Sequence, residues 1–404
     1  MTTPALLHAT PPEAIGEWRG LLDKLLPGAE INQLLSDPSD PQLRRELYRF
    51  VMESLVQAYQ LRLAMHKDFP LWIDMLNFPL ATVGANPDTV YKTTVFDDRG
   101  VYRLWGKRGK SRQFAVQISA AITGGPIEGV AKELHTFNVD DLTLGANGEF
   151  EVMLSAQQPA EWSGDWWPLK PGAGFGMVRM VSYDWENEAG GTIHIERLNP
   201  STARPMRLSA DELLVELNGA VKFAVGSARV WVDYVARMRR NNVVNRFEMN
   251  SFGAVGGWGR QVYWQGFHDI GADEALVIEI EVPHVCPYWN LQITDEFWRP
   301  MDYFNSISSL NGFQARPAAN GKVYAVIAER DPGVPNWLDT GGYNRGAMLG
   351  RWNGADAAPT PTIVRTSLRE LRRHLPADTP DVTPTRRAEQ IAALRRAQHQ
   401  RFGY

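Results

Sequence analysis

Two hydrophobic spacings alternate along this chain, and their alternation limits the available folds more than any single motif. Leu43, Leu47, Val51, Leu55, Tyr59 and Leu63 recur at every fourth position behind Asp40-Pro41, an N-cap and first-turn pair. That spacing predicts an amphipathic helix ending before Pro70. Ile15, Trp18, Leu21, Leu22 and Leu25 predict a shorter helix ahead of it. From about Thr82 to Leu198 the period falls to two, in Val90–Val95, Val101–Trp105, Phe114–Ile118, Phe150–Leu154, Met177–Tyr183 and Thr192–Leu198. Ser209-x-x-Glu212 is a capping-box pattern that opens a second helical stretch reaching Arg237, Arg239 and Arg240, with Gly226 a point where it could break. Strand spacing returns in Leu276–Val282, Trp289–Ile293 and Val323–Ala328, and helices are expected again around Ser367–His374 and Thr385–Arg401.

The expected fold is therefore α+β: two antiparallel β-rich, sandwich-like units with an N-terminal helical region, a long connecting helix and C-terminal helices. The expected boundaries are residues 1–78, 79–205, 206–245, 246–354 and 355–404. Asn147-Gly148, Gly190-Gly191 and Asn320-Gly321 read as hairpin turns. Trp162, Trp166 and Trp167 read as part of a long connection, while Trp18, Tyr59 and Trp231, at helical spacing, read as core.

A chain of 404 residues can bury a large core without staples; at 45.4 kDa a compact fold exposes about 15,800 Å². A net charge of −4 supplies no general attraction for nucleic acid or anionic membrane, and neither is expected as a partner. The lone Cys286 cannot form an intramolecular disulfide and excludes multi-thiolate metal sites. The start of the chain lacks a basic segment followed by an apolar run, so a cytoplasmic location is expected. No Walker loop, dinucleotide fingerprint, serine elbow or zincin motif occurs, so neither cofactor nor metal is expected. Gly253-x-x-Gly256-Gly257-x-Gly259 has no apolar helix behind it and reads as a loop or sheet edge. His194-x-Glu196 and His284-x-Cys286 each place two ligand types on one strand face, which is too few for a metal site. The last helix carries Arg386, Arg387, Arg395, Arg396 and Arg401 against Glu389. It reads as a solvated or subunit-packing helix, with RNA or an acidic partner as the alternative.

Three segments combine aromatic and ionisable residues. The first runs from Asn86 to Thr94, where extended geometry puts Asp88, Val90, Lys92 and Thr94 on one face and Thr89, Tyr91 and Thr93 on the other. The second is Pro283–Asn290, with His284, Tyr288 and Trp289. The third is Arg330–Thr340, a stiff loop carrying Asp331, Asn336, Trp337 and Asp339.

These segments resemble a bacterial family known chiefly as domains of unknown function, the 1214 family, and its frequent N-terminal companion, the 1254 family. Asn86, Asp88, Thr89 and Tyr91 look like the companion's N-x-D-T-x-Y motif. Tyr288, Trp289 and Gln292, with Arg330-Asp331-Pro332-Gly333 and Asn336-Trp337-Leu338-Asp339-Thr340, look like the other. The resembling regions are Leu80–Leu104 and Leu276–Trp352. The resemblance implies β-sandwich-like domains with helical additions and carries no settled reaction.

Chemistry in these segments suits a cofactor-independent acid/base enzyme, a lyase acting on a bulky aromatic small molecule such as a phenolic, lignin-type compound. Lys92 or Arg330 would stabilise a phenolate while Asp88, His284 or Tyr91 moves a proton. Asn86, Tyr288, Trp289, Asp331, Asn336, Trp337 and Asp339 would contact the substrate. A carbohydrate-binding or carbohydrate-processing protein is the second class, with Asp88 and Asp331 or Asp339 as the available carboxylate pair. A non-enzymatic assembly protein is the third. A small-molecule substrate and a second copy of the chain are the expected partners.

Overall fold

Residues 12–120, 132–250 and 261–403 are described by the computed structural model, and they form an α+β architecture. The glycine-rich run at 253–259 lies outside them. Helix α1 (Pro12–Asp23), the single turn α2 (Pro27–Glu30) and α3 (Pro41–Tyr59) lead in. The Asp40 carboxylate caps α3 by accepting from the Gln42 amide. Helix α3 ends earlier than its spacing predicts, because a wide turn over Gln60–Ala64 closes with Met65 N donating to Gln60 O.

The first β unit contains β1 (Ile73–Asp74), β2 (Thr89–Val95), β3 (Tyr102–Lys107), β4 (Gln113–Ala120), β5 (Glu133–Asn138), β6 (Glu149–Ser155), β7 (Asp165–Pro168), β8 (Ala173–Val181) and β9 (Thr192–Arg197). One sheet has the order β1-β2-β8-β4-β5 and the other β7-β6-β3-β9. Alternate residues of both sheets, including Phe114, Val116 and Val178 from one and Leu104, Val152 and Ile195 from the other, share one core. Helix α4 (Ala210–Arg240) then runs unbroken through Gly226, closed at its start by the Ser209–Glu212 capping box.

The second unit holds β10 (Glu248–Asn250), β11 (Gln261–Asp269), β12 (Glu274–Ile280), β13 (Tyr288–Ile293), β14 (Ser309–Asn311), β15 (Val323–Ala328), β16 (Trp337–Asp339), β17 (Arg345–Asn353) and β18 (Thr362–Ser367). Its sheets read β10-β11-β17-β13-β14 and β16-β15-β12-β18. Each strand thus occupies the place of the strand nine earlier, down to the parallel pairs β6–β7 and β15–β16. The chain is a duplicated sandwich, a repeat that hydrophobic spacing alone does not disclose. Helix α5 (Pro384–Phe402), capped by Thr383, closes the described chain.

Several local expectations need correction. Asn320-Gly321 does turn tightly between paired Pro317 and Val323, with Gly321 at φ +78°. Gly148 also takes positive φ, but Asn147-Gly148 and Gly190-Gly191 join strands of different sheets and are not hairpins. Asp165–Pro168, carrying Trp166 and Trp167, is a strand paired in parallel with β6 rather than a loose connection. Trp18 and Tyr59 are not core residues, being 62% and 57% exposed, whereas Trp231 is half-buried. Leu371–His374 is a single tight turn. No helix among the described residues is long and apolar enough to cross a membrane.

Candidate functional site

The early and middle motif segments meet at the junction of the two units. A loop with Gly84 at φ +58° delivers Asn86, whose side chain accepts from the Asp88 amide at 3.1 Å and so fixes the turn into β2. Across the junction, β13 places Tyr288, Asn290 and Gln292 on one face, with Trp289 turned into the second unit's core. The Tyr288 hydroxyl donates to Asp88 Oδ2 at 2.7 Å and accepts from Asn86 Nδ2 at 2.6 Å. Asn290 Nδ2 donates to Asn86 Oδ1 at 2.8 Å. Asp88 Oδ1 accepts from Trp185 Nε1 at 2.8 Å and Asn311 Nδ2 at 2.7 Å. Arg351, opposite Asn290 in the ladder, bonds Gln292 Oε1 at 2.6 Å and Gly84 O at 3.0 Å. The Tyr91 hydroxyl accepts from the Asn86 amide at 3.1 Å.

These groups are sealed from solvent: Asp88 and Tyr288 are each 1% exposed, and Asn290 and Asn311 are fully buried. Burial raises the Asp88 carboxyl above its ordinary range, against the hydrogen bonds from Tyr288 and Asn311. Burial, followed by the Asp88 charge, pushes the Tyr288 phenol well up. Helix α5 closes the junction from outside. Arg401, partly buried, donates to the carbonyls of Pro87 and Asp88, and desolvation lowers its guanidinium to about 10. The arrangement can hold one carboxyl in a fixed protonation state and lock two units together.

The remaining sequence-derived candidates do not join this cluster. Lys92 reaches Asp74 on β1 at 2.5 Å. His284 lies exposed on the loop before β13. Arg330 pairs with Asp273 on the surface and also points at Ala272 O. Asp331 holds Arg387 of α5 at 2.9 Å, so that arginine of the basic helix is buried rather than solvated. Asn336, at φ +55°, ties Arg316 to Tyr324 through three backbone hydrogen bonds. Trp337 donates to Ala328 O at 2.9 Å beneath the Arg387 guanidinium. Asp339 accepts from the Gly341 amide, its carboxyl raised by burial. Thus Asn86, Asp88, Tyr91 and Tyr288 converge while the late loop serves packing. Trp185, Asn311 and Arg351 complete the cluster without a sequence signal, whereas Gln292 belongs to the motif run that starts at Tyr288 and Arg401 to the basic last helix.

An open site lies elsewhere. The outer face of the four-stranded sheet in the first unit carries a groove of about 720 Å³. Its floor is built in rows by strand register: Lys107 between Glu149 and Thr192, then Trp105 between Glu151 and His194. The His194 ring stacks on Trp105 with centroids 5.4 Å apart. Arg103 lies 5.1 Å from the Trp105 ring centre and pairs with Glu151 and Glu196. Trp162 forms the rim, its indole donating to Asp165 O at 2.8 Å. Gly164 lets the chain pass against that ring, where a Cβ would sit 2.8 Å away. Among the described residues no group of three or more histidine, cysteine, aspartate or glutamate side chains is placed to hold a metal ion.

The same face in the second unit is treated differently. There Ala275, Val277, Val326 and Ala328 point outward and are covered by Val334, Trp337, Leu371 and Leu375 of the chain itself. Duplication gave two equivalent faces, one apolar and sealed, the other polar, aromatic and open.

No family model and no curated protein matches the chain. Among solved structures, an uncharacterised protein from Burkholderia cenocepacia is similar over 87% of this chain and 97% of its own, at 27% identity and a TM-score of 0.80. A Vibrio parahaemolyticus protein aligns over 85% of this chain and 100% of its own, at 11% identity and a TM-score of 0.46. The Burkholderia likeness extends across both units and so concerns the duplicated architecture as a whole.

Proposed function

We propose that this chain is a carbohydrate-binding protein that takes a neutral saccharide in the groove floored by Trp105. The contrast between the two equivalent sheet faces carries the reading. A solvated polar face has no need of tryptophan, yet this one presents Trp105 on its floor and Trp162 on its rim. Its cations are already paired, Arg103 by Glu151 and Glu196 and Lys107 by Glu149 at 3.7 Å. An anionic ligand would have to break those pairs. A sugar would instead place its C–H face on an indole and its hydroxyls on carboxylate and guanidinium edges that retain unused hydrogen-bonding capacity. The location belonging to this proposal is the cytoplasm. Membership of the 1214 and 1254 families also remains part of it, since the segments that resemble them include those meeting at the junction. The test is titration with a panel of neutral oligosaccharides. Binding that falls at least tenfold in both Trp105→Ala and Trp162→Ala, with unchanged melting temperature, supports the groove. Absence of binding across the panel, or binding that ignores both substitutions, overturns it.

A second reading is favoured by the 2.7 Å contact between Tyr288 and Asp88 and the raised Asp88 carboxyl. It is the cofactor-independent acid/base enzyme, a lyase on phenolic or other aromatic compounds, with Asp88 and Tyr288 as the proton-handling pair and Arg401 the neighbouring positive charge. Tyr288→Phe distinguishes the roles. If the pair is structural alone, the variant loses about 2 kcal/mol by stranding the Asn86 amide and the Asp88 carboxyl, and retains saccharide binding. If the pair is catalytic, turnover of a phenolic substrate by the wild type disappears in the variant under conditions where it is still folded.

A further inference from the structure

We propose that the junction between the two units holds a second binding site, in which Arg351 takes the carboxylate of a small aromatic acid. The site is separate from the Trp105 groove and does not depend on the saccharide reading. It starts from an imbalance of charge. Among the described residues three arginines are buried, Arg299, Arg351 and Arg387, at 6%, 5% and 5% exposure. Arg299 is held by Asp295, Glu46 and Glu53, and Arg387 by both oxygens of Asp331. Partly buried Arg401 has the Asp88 carboxyl as its counter-charge. Arg351 instead bonds only neutral oxygens, Asn290 Oδ1 at 3.2 Å, Gln292 Oε1 at 2.6 Å and Gly84 O at 3.0 Å, and pairs with no carboxylate of the described residues. A buried charge is costly until an opposite charge meets it.

Neighbouring groups aim the guanidinium. Asn290 Nδ2 donates to Asn86 Oδ1 at 2.8 Å and Gln292 Nε2 to Ala85 O at 2.9 Å, so both amides are fixed with their oxygens toward Arg351. Those oxygens and Gly84 O engage Nη1 and one side of Nη2. Nε–H and the second Nη2 proton have no partner among the described residues, and such a pair of donors matches a carboxylate. The walls define the rest of the ligand. Tyr263 stands opposite Arg351 in the ladder, its ring centre 5.6 Å from the guanidinium. It packs with Trp298, whose ring meets that of Tyr234 edge-on at 4.8 Å. An aromatic body suits such a wall, ring edge against ring face.

Duplication supplies an independent argument. In the first unit Tyr91 stands opposite Arg179, which donates to Gln117 on the next strand. In the second, Tyr263, Arg351 and Gln292 hold the same three places in the register. The outer faces of the two sandwiches differ, one apolar and one polar, yet both units carry this set of tyrosine, arginine and glutamine. The two sets lie on apposed faces: Gln113, on the face of Gln117, bonds Asn353, on the face of Arg351, at 3.1 Å, and Val181 packs with Tyr288. An arginine on each of two apposed faces adds like charge to one interface, and an anion offsets it.

Calorimetric titration of the full chain with benzoate and phenylacetate, and with benzyl alcohol as the uncharged counterpart, tests this. At least one acid is expected to bind saturably. Binding should be roughly tenfold weaker for benzyl alcohol, and roughly tenfold weaker for the acid in Arg351→Lys, which keeps the charge and loses the fork. The melting temperature of the variant without ligand shows whether it is folded. A crystal of the wild type soaked in the acid needs no variant, and its carboxylate is expected on Nε and Nη2 of Arg351. Failure of both acids to bind, equal binding of benzyl alcohol, unchanged affinity in folded Arg351→Lys, or an acid seated away from Arg351 overturns the proposal. None of these results depends on whether a saccharide binds at Trp105.

Discussion

The buried polar residues show how an interior can fix one packing arrangement. Asp88 is surrounded by three donors, from Tyr288, Trp185 and Asn311, in a site that penalises its charge. Such a carboxyl defines one relative placement of the units, because any slip leaves several polar groups unpaired at about 1–3 kcal/mol each. His268 poses the opposite problem. It is wholly buried, its Nε2 lies 3.0 Å from Tyr343 O, and desolvation lowers its pKa from 6.5 to about 4. The unfolded chain therefore binds more protons between those values, and the stability supplied by neutral His268 is lost as pH falls through that window. The full effect is about 3 kcal/mol. Urea midpoints taken at pH 7 and pH 4.5 should separate more for the wild type than for His268→Gln; an equal or larger separation in the variant would remove His268 as the cause.

Helix α5 behaves as a strap. Arg387 near its start grips Asp331 and Val334 O of the second unit, and Arg401 near its end grips the carbonyls of Pro87 and Asp88 from the first. Removing residues 384–404 should leave both sandwiches folded but weaken their junction, so hydrogen exchange at residues 86–91 should quicken at least tenfold while the centres of β4 and β13 stay protected. Unchanged exchange at 86–91 would show that α5 is not the strap. Local signals made the helix visible in the sequence, as they did the Asp40 cap, the Ser209–Glu212 box and the turn at Gly321, because each is satisfied within a few residues. The basic run looked solvated because the partners of Arg387 and Arg401 lie 56 and 313 residues away. Distance likewise hid the pairing of Asp88 with Tyr288 across 200 residues, although both residues stood out as polar groups beside aromatic strands. Trp337 and Asn336 stood out for the same reason and proved to be packing and turn residues. Strand β7 went unseen since a short parallel edge strand shows no clear alternation.

Duplication explains the organisation of the molecule as a whole. Two sandwiches of identical strand order are joined by α4, locked at a polar junction and strapped by α5. The second unit's outer face is sealed by Leu371 and Leu375, while that of the first is open, and there Trp105, His194 and Trp162 collect beside paired cations. The surplus of aromatic rings thus divides among cores, an exposed helical layer and one groove. The most direct measurement is a crystal structure of the chain with the tightest-binding neutral oligosaccharide. The account expects a sugar ring stacked on Trp105 or Trp162 and hydroxyls on Glu151 or Arg103; a saccharide bound at any other place, with the groove filled by water, would contradict it.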